Sequence, residues 1–334
     1  MEIREINSEK RWENFRLANS PQALFQGWLW GEVEKNLGGK IRRLGVYDNE
    51  SLLGIFQINV VEARRGKFLH IRHGPILGEN KETLWDWVFK FLINFAVREK
   101  AWFVRISPLI GQTSEINSVY ARYRLRPAAL HAMDAELAWV LDVDKTEDKL
   151  LAEMRKTTRY EIRRAEKLGV KVIKTLDSKD LNTFLDLYKQ TFERHGFVPH
   201  LGIEQEFGVY KKSNKALLLL GIHEGKVIAG AIILFDGKQA VYHHGASVWS
   251  KIPAAYLVQW EAVKEAKKRG IKLYDFWGIA PNDKPNHPWR GITLFKTGFG
   301  GRQMTYLHAH DLVVSPKYYF TRTIETIRRI AKGY

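Results

Sequence analysis

Apolar positions along the chain follow two different periods. Leu84, Trp87, Val88, Phe91, Leu92 and Phe95 fall at i, i+3, i+4, i+7, i+8 and i+11, the spacing of one buried helical face, and predict a helix there. Residues 41–47 and 52–61 read instead as strands, split by the turn-forming Asp48-Asn49-Glu50, and Arg65-Gly66-Lys67 leads into a third strand at 68–72. A further strand is predicted over 102–106, ending at Ser107-Pro108. Ahead of these lie a short strand at 2–6 and two helices, one carrying Trp12, Phe15 and Leu17 and the other Trp28, Trp30 and Val33.

The same succession then returns. A strand at 170–174 is followed by a helix carrying Leu181, Phe184, Leu187, Tyr188 and Phe192, and by a shorter helix around 204–210. Three strands joined by Glu224-Gly225 and Asp236-Gly237 come next, then a helix opened by Pro253 and closed by Gly270, then a strand at 272–276. Leu44-Gly45-Val46 recurs as Leu220-Gly221-Ile222, and Leu53-Gly54-Ile55 as Ala229-Gly230-Ala231, at one common offset. The chain is therefore expected to hold two copies of one α/β module with a cleft between them. The order strand, helix, helix, three strands, helix, strand resembles that of the GNAT acyltransferases, so the expected fold class is α/β (α+β), two tandem GNAT-like domains. The first is expected over residues 1–144 and the second over 145–314, with a C-terminal helix at about 315–334 returning to the first.

Between the modules one long helix is predicted from 146 to 168, on which Arg155, Arg159, Arg163 and Lys167 recur every four residues. That stripe of cations suits a phosphate-rich ligand, or is simply a solvated basic face. Residues 318–334 predict a basic amphipathic helix that docks onto a domain or lies against anionic headgroups.

At 334 residues the chain has the length of two domains, and its 45% hydrophobic and 27% charged residues are those of a globular protein. Fifty-three Lys and Arg against thirty-seven Asp and Glu give +16, a field that attracts nucleic acids, nucleotide phosphates or anionic lipid. The absence of cysteine removes disulfides, thiol nucleophiles and Cys-based zinc sites. No signal peptide or membrane-length apolar run is evident, and the protein is expected in the cytoplasm.

Chemistry is constrained by elimination. No G-x-S-x-G elbow, H-E-x-x-H pattern or G-x-x-x-x-G-K-[ST] loop is present, so direct transfer without covalent intermediate, metal or cofactor is expected. His243 and His244, adjacent on a strand, are expected to face opposite ways and to make a poor metal pair. The glycine-rich loop that cradles acyl-CoA pyrophosphate in GNAT enzymes is missing: Gly74-Pro75-Ile76-Leu77-Gly78-Glu79 and Ser247-Val248-Trp249-Ser250-Lys251-Ile252-Pro253 stand in its place.

An ordered set of segments resembles the FemABX family of aminoacyl-tRNA-dependent peptidyltransferases. The segments are Phe25-Gln26-x-x-x-Trp30-Gly31, Ile71-Arg72-His73-Gly74-Pro75, Met154-Arg155-Lys156-x-x-Arg159-x-x-Ile162-Arg163-x-Ala165, Arg194-x-Gly196-Phe197, Tyr274-Asp275-Phe276-x-Gly278 and Phe295-Lys296-x-Gly298-Phe299-Gly300-Gly301. The resemblance is to an armless member, since 194–216 leaves no room for the helical-hairpin arm of some relatives. It implies transfer of an amino acid from aminoacyl-tRNA to an amine of a cell-wall precursor, UDP-MurNAc-peptide or lipid-linked, possible contact with the inner membrane face included. It further implies Lys296 as the catalytic cation, stabilising the tetrahedral intermediate or holding the terminal adenosine's phosphate, with Phe295 as an apolar wall, Arg194 and Lys35 on the precursor's phosphates, with Glu34 and Lys40 as near alternatives to Lys35, and Tyr242 lining the peptide channel. Arg155, Arg159, Arg163 and Lys167 are the corresponding tRNA or phosphate candidates. Relatives carry an acidic residue where Ser107 precedes Pro108, which leaves the general base open. An N-acyltransferase with another donor and a non-catalytic RNA-binding module are the alternatives.

Overall fold

The computed structural model describes residues 1–64, 66–79, 82–130, 134–195 and 200–333. It divides into two compact units, one of Met1–Leu137, Ala280–Pro288 and Met304–Tyr334, the other of Ala138–Ile279 and Trp289–Gln303.

The chain opens with β1 (Glu2–Glu5), α1 (Glu9–Asn19) and α2 (Trp28–Asn36), then β2 (Lys40–Asp48), β3 (Ser51–Ala63), β4 (Gly66–Arg72) and the short β5 (Ile76–Leu77). Helix α3 (Glu82–Arg98), β6 (Phe103–Ser107), α4 (Ser114–Arg122) and β7 (Arg126–Pro127) follow. Next come β8 (Leu137–Asp142), α5 (Glu147–Glu153) and α6 (Lys156–Lys167). The second round is β9 (Lys171–Thr175), α7 (Ser178–His195), α8 (Ile203–Lys212), β10 (Ala216–His223), β11 (Lys226–Asp236), β12 (Gln239–Ser247), α9 (Ala254–Lys268) and β13 (Leu273–Gly278). Helix α10 (Arg290–Thr297), β14 (Arg302–Thr305), β15 (His310–Val313) and α11 (Tyr318–Ala331) complete the chain.

The repeat read from the sequence is visible in the topology. One sheet runs β1-β2-β3-β4-β6-β15-β7, with β5 against β3, and the other runs β14-β8-β13-β12-β11-β10-β9. Each holds a parallel pair, β4 with β6 and β12 with β13, bridged by α3 and α9 respectively, because a parallel connection needs a crossover. The strand that borders each such pair arrives from outside its repeat. β8, expected with the first domain, pairs antiparallel with β13 in the second sheet, and β15, expected with the second, pairs antiparallel with β6 in the first.

Local departures from the predicted pattern have physical causes. In α3 the buried face is Leu84, Trp85, Val88, Phe89, Leu92 and Ala96, while Trp87 is exposed. Helix α4 is the reason: its Tyr120 ring sits 6.1 Å from Trp85 and 6.0 Å from Phe89, and draws the face round by a fraction of a turn. The long helix predicted at 146–168 is two helices. Met154 and Arg155 are extended, Met154 is buried in the core, and the Arg155 amide donates to the carbonyl of Gly298 at 2.9 Å instead of continuing the helix.

Helix α11 belongs to the first unit. It presents Tyr318, Thr321 and Glu325 inward. The buried Arg105 guanidinium donates to Asp311 at 2.7 and 2.8 Å and to Glu325 at 3.1 and 2.8 Å, so one cation is shared between β15 and α11. Among the described residues no helix is long and apolar enough to cross a membrane.

Candidate active site

In the second unit, chemistry converges on the end of β13. That strand is bulged: Asp275 lies opposite Val140 but Gly278 lies opposite Ala138, so β13 spends one residue more than its neighbour. Trp277 takes up the difference at φ 69°, a conformation disfavoured for a bulky side chain. Its amide donates to Asp275 Oδ1 at 2.7 Å, which holds the distortion, and the Gly278 carbonyl accepts from Lys296 Nζ at 2.7 Å.

Lys296 comes from the last turn of α10 and is only 7% exposed. Burial pushes its ammonium down to about 8, an effect opposed by the charge of Asp275. Burial pushes the Asp275 carboxyl up to about 6, against the Trp277 amide and the Lys296 charge. Near pH 7 the lysine is thus a desolvated cation and the aspartate a desolvated anion, both within reach of titration. Phe295 lies beside them, 4.9 Å from the Tyr256 ring and 5.3 Å from Phe299, and forms an apolar wall with the core. Asp275 sits within a motif quoted from the sequence, yet no spacing there marks it as the partner of Lys296.

The other second-unit positions behave differently. Tyr242 on β12 packs against the core, and burial pushes its phenol up to about 12. Arg194, near the end of α7, donates to the Ser247 carbonyl at 2.8 Å. Gly196 and Phe197 of its motif lie outside the described residues. Of the cationic stripe, Arg155 donates to the Leu294 carbonyl and to Thr297 Oγ1, both at 3.1 Å. Arg159 caps the end of α5 through the carbonyls of Leu151 and Ala152 at 3.0 Å. Arg163 and Lys167 are exposed.

His243 and His244 do not face opposite ways. The β11–β12 register breaks between Ile232, opposite His244, and Ile233, opposite Tyr242, leaving His243 as the extra residue of a bulge. Both imidazoles therefore reach the buried Glu206 of α8, His243 Nδ1 at 3.1 Å and His244 Nε2 at 2.7 Å from Oε2. The rule of strict alternation fails where a strand carries a bulge, and nothing in the local sequence announces it.

In the first unit, two motifs quoted from the sequence meet. The amide of Gln26 donates to the Arg72 carbonyl at 2.7 Å, and the Arg72 guanidinium lies 3.3 Å from the Phe25 ring centroid. Gly31 is required by close approach: a Cβ there would stand 2.2 Å from both Arg43 Nη2 and Gln57 Oε1. Lys35 is half exposed, paired with Glu32 at 2.9 Å, and lines a small depression with Trp28, Arg42 and Arg43. The carboxylate missing at Ser107 is supplied from further along: Ser107 Oγ donates to Asp134 Oδ2 at 3.2 Å. Arg72 donates to Asp134 Oδ1 at 2.9 and 2.6 Å and holds its carboxyl well below the usual range, against the pull of burial. Asp134 is a fixed anion there rather than a base.

Two repeated mixed sheets, each holding one parallel pair, define a tandem acyltransferase fold with a buried lysine in its second copy. A tandem GNAT protein from the clavulanic acid biosynthesis pathway superposes with a TM-score of 0.59 at 10% identity, covering 94% of this chain and 99% of that one. The crystal structure of FemX superposes with a TM-score of 0.83 at 18% identity, covering 97% of this chain and 100% of that one. The sequence profile of the FemAB family matches residues 8–120, 113–201 and 218–326, and the chain belongs to that family. Among its relatives is the UDP-N-acetylmuramoylpentapeptide-lysine N(6)-alanyltransferase of Weissella viridescens, 25% identical over 76% of this chain and 78% of that protein. Another is the lipid II:glycine glycyltransferase of Staphylococcus epidermidis, 19% identical over 90% and 91%.

Proposed function

We propose that the protein is an aminoacyltransferase that moves an amino acid from aminoacyl-tRNA onto an amine of the peptidoglycan stem peptide, building an interpeptide bridge. The observation that carries this reading is the buried Lys296 ammonium, held at the bulged end of β13 beside Asp275. Family membership and the names of the two relatives, both aminoacyl transferases to cell-wall intermediates, support it.

The ester linking an amino acid to tRNA is already activated, so the enzyme needs alignment and charge stabilisation rather than a nucleophile of its own. The acceptor amine attacks the ester carbonyl carbon, a C–N bond forms, and the C–O bond to the terminal ribose breaks. The proton lost by the amine ends on the ribose oxygen. In this scheme Lys296 donates to the carbonyl oxygen as negative charge develops there. Its low-dielectric surroundings make that charge worth more than in water. Phe295 keeps water from the ester.

Arg194 and Lys35 serve the precursor's phosphates, and the exposed Arg163 and Lys167 serve tRNA. Arg155 and Arg159 contribute mainly by fixing helix ends. Tyr242 supports the channel wall from the core side. The protein works in the cytoplasm without a cofactor, and α11 brings it to the membrane face. That helix turns Phe320, Ile327 and Ile330 outward beside Lys317 and Arg328, a pattern suited to anionic headgroups.

The test incubates the protein with a pool of charged tRNAs and UDP-MurNAc-pentapeptide or its lipid-linked form, and reads product masses. One added residue mass, lost in Lys296→Ala, is expected. Transfer from acyl-CoA instead, or tRNA retention with no product, would replace this reading by another acyltransferase or by a binding module.

A further inference from the structure

Glu206 stands at the centre of a second cluster in the second unit, and the mechanism above uses none of it. Its Oε1 meets His200 Nε2 in a short contact, while its Oε2 takes His244 Nε2 at 2.7 Å and His243 Nδ1 at 3.1 Å. The two strand histidines also approach each other, His243 Nδ1 to His244 Nε2, at 3.0 Å. Ligand atoms of His200, Glu206 and His244 all lie within 4.8 Å of one another. Glu206 and His244 are buried and His200 is 40% exposed at its side chain, so the cluster has a closed floor and one open side.

We infer that these side chains form a binding site for a divalent transition-metal ion of the zinc type, with His200 Nε2, His244 Nε2 and Glu206 as ligands and a fourth position open to solvent. The argument is the convergence of imidazole nitrogens on one carboxylate. In tetrahedral zinc sites the metal stands about 2.0–2.2 Å from N and O ligands, which sets ligand atoms roughly 3.3 Å apart. The distances here bracket that spacing, so small side-chain adjustments seat the ion. Two imidazoles and one carboxylate form a donor set that favours zinc, cobalt or nickel over magnesium or calcium. The ring contacts that a hydrogen-bond cluster leaves awkward, two imidazole nitrogens directed at each other and at the same oxygen, become the natural approach to a shared cation. An outer shell is present too: the His200 amide donates to Tyr188 Oη at 3.1 Å, and the His243 ring packs edge-on against Trp277 at 5.2 Å. Through these contacts a bound ion ties the segment entering α8 to β12 and to the distorted end of β13.

The experiment uses the full chain, stripped with chelator, and titrates Zn²⁺ against a chromogenic competitor, with Mg²⁺ as a parallel titrant. One equivalent of Zn²⁺ at micromolar affinity or tighter, a rise in the unfolding midpoint with Zn²⁺, and no response to Mg²⁺ are expected. His200→Ala, at a position open to solvent, should weaken Zn²⁺ at least 100-fold, and Glu206→Gln should do the same. Absence of saturable Zn²⁺ binding would overturn the assignment, as would binding that survives His200→Ala with unchanged affinity. Neither outcome touches the proposed transferase reaction, whose test rests on Lys296.

Discussion

Replacing Lys296 by methionine separates what the side chain does for catalysis from what it costs the fold. In the folded protein its ammonium titrates near 8 rather than near the ordinary 10.5, so keeping it charged at neutral pH costs roughly 3 kcal/mol at about 1.4 kcal/mol per unit. Methionine fills similar volume, brings no charge, and leaves Asp275 free to stay protonated in its buried place. The folded state should therefore be no more than about 1 kcal/mol less stable than the parent, since the lost hydrogen bond to Gly278 is offset by removal of the desolvated charge. Catalysis should respond in the opposite sense. A preorganised donor at a developing oxyanion is worth about 10²–10³ in rate, so single-turnover transfer from charged tRNA to precursor should fall by at least that factor. Urea unfolding and transfer rates measured on the same preparation check both halves. A transfer rate within threefold of the parent would refute the assignment of Lys296, whereas a collapse of stability by several kcal/mol would mean that the lysine is structural.

The pH dependence carries the same logic. Lys296 must be protonated to donate to the carbonyl oxygen, so the transfer rate should fall through about pH 8, with that alkaline limb missing in Lys296→Met. For stability the sign reverses: between about pH 8 and 10.5 the unfolded chain binds the Lys296 proton and the folded one does not, so this group's contribution grows as pH rises, and Lys296→Met should lack that growth. Truncating Glu325 to alanine leaves Arg105 buried with only Asp311, and calorimetry should register a loss of about 3–5 kcal/mol. Gly31→Ala forces a methyl into the Arg43–Gln57 contact and should lower the unfolding midpoint by several degrees. Charge placed on the outer face of α11, as in Ile327→Glu with Phe320→Glu, should abolish co-sedimentation with anionic vesicles while leaving transfer to the soluble precursor unchanged.

Much of the fold was readable because the chain states it twice. Turn residues at Asn49-Glu50 and Glu224-Gly225, the apolar spacing of α3 and the Pro253 to Gly270 limits of α9 each fix one element locally, and the two copies agree on their order. The exchange of β8 and β15 was not readable, because strand partners depend on which sheet edge lies open, and no local signal records that. The same holds for α4, whose aromatic contacts rotated the buried face of α3 away from the position that periodicity alone assigns. Lys296 emerged from a motif, whereas its partner Asp275 emerged only when β13 was seen to bulge.

Three of the places where local rules fail share one neighbourhood in the second unit. The break at Met154–Arg155 binds the carbonyl of Gly298, two residues beyond Lys296. The bulge in β13 places the Gly278 carbonyl on Lys296 and forces Trp277 into a left-handed backbone. The bulge in β12 turns His243 against that same Trp277 ring. A regular helix and two regular strands would be the lower-energy local choices, and each is given up at a contact that leads to the lysine. Sequences break their own local preferences where a site demands a geometry that regular elements cannot supply. The prediction that follows is positional: Trp277→Gly removes the backbone penalty and the ring together, so it should leave stability within about 1 kcal/mol of the parent while transfer falls at least tenfold, because the Gly278 carbonyl is no longer held on Lys296. Unchanged transfer in Trp277→Gly would show that the distortion does not serve the lysine.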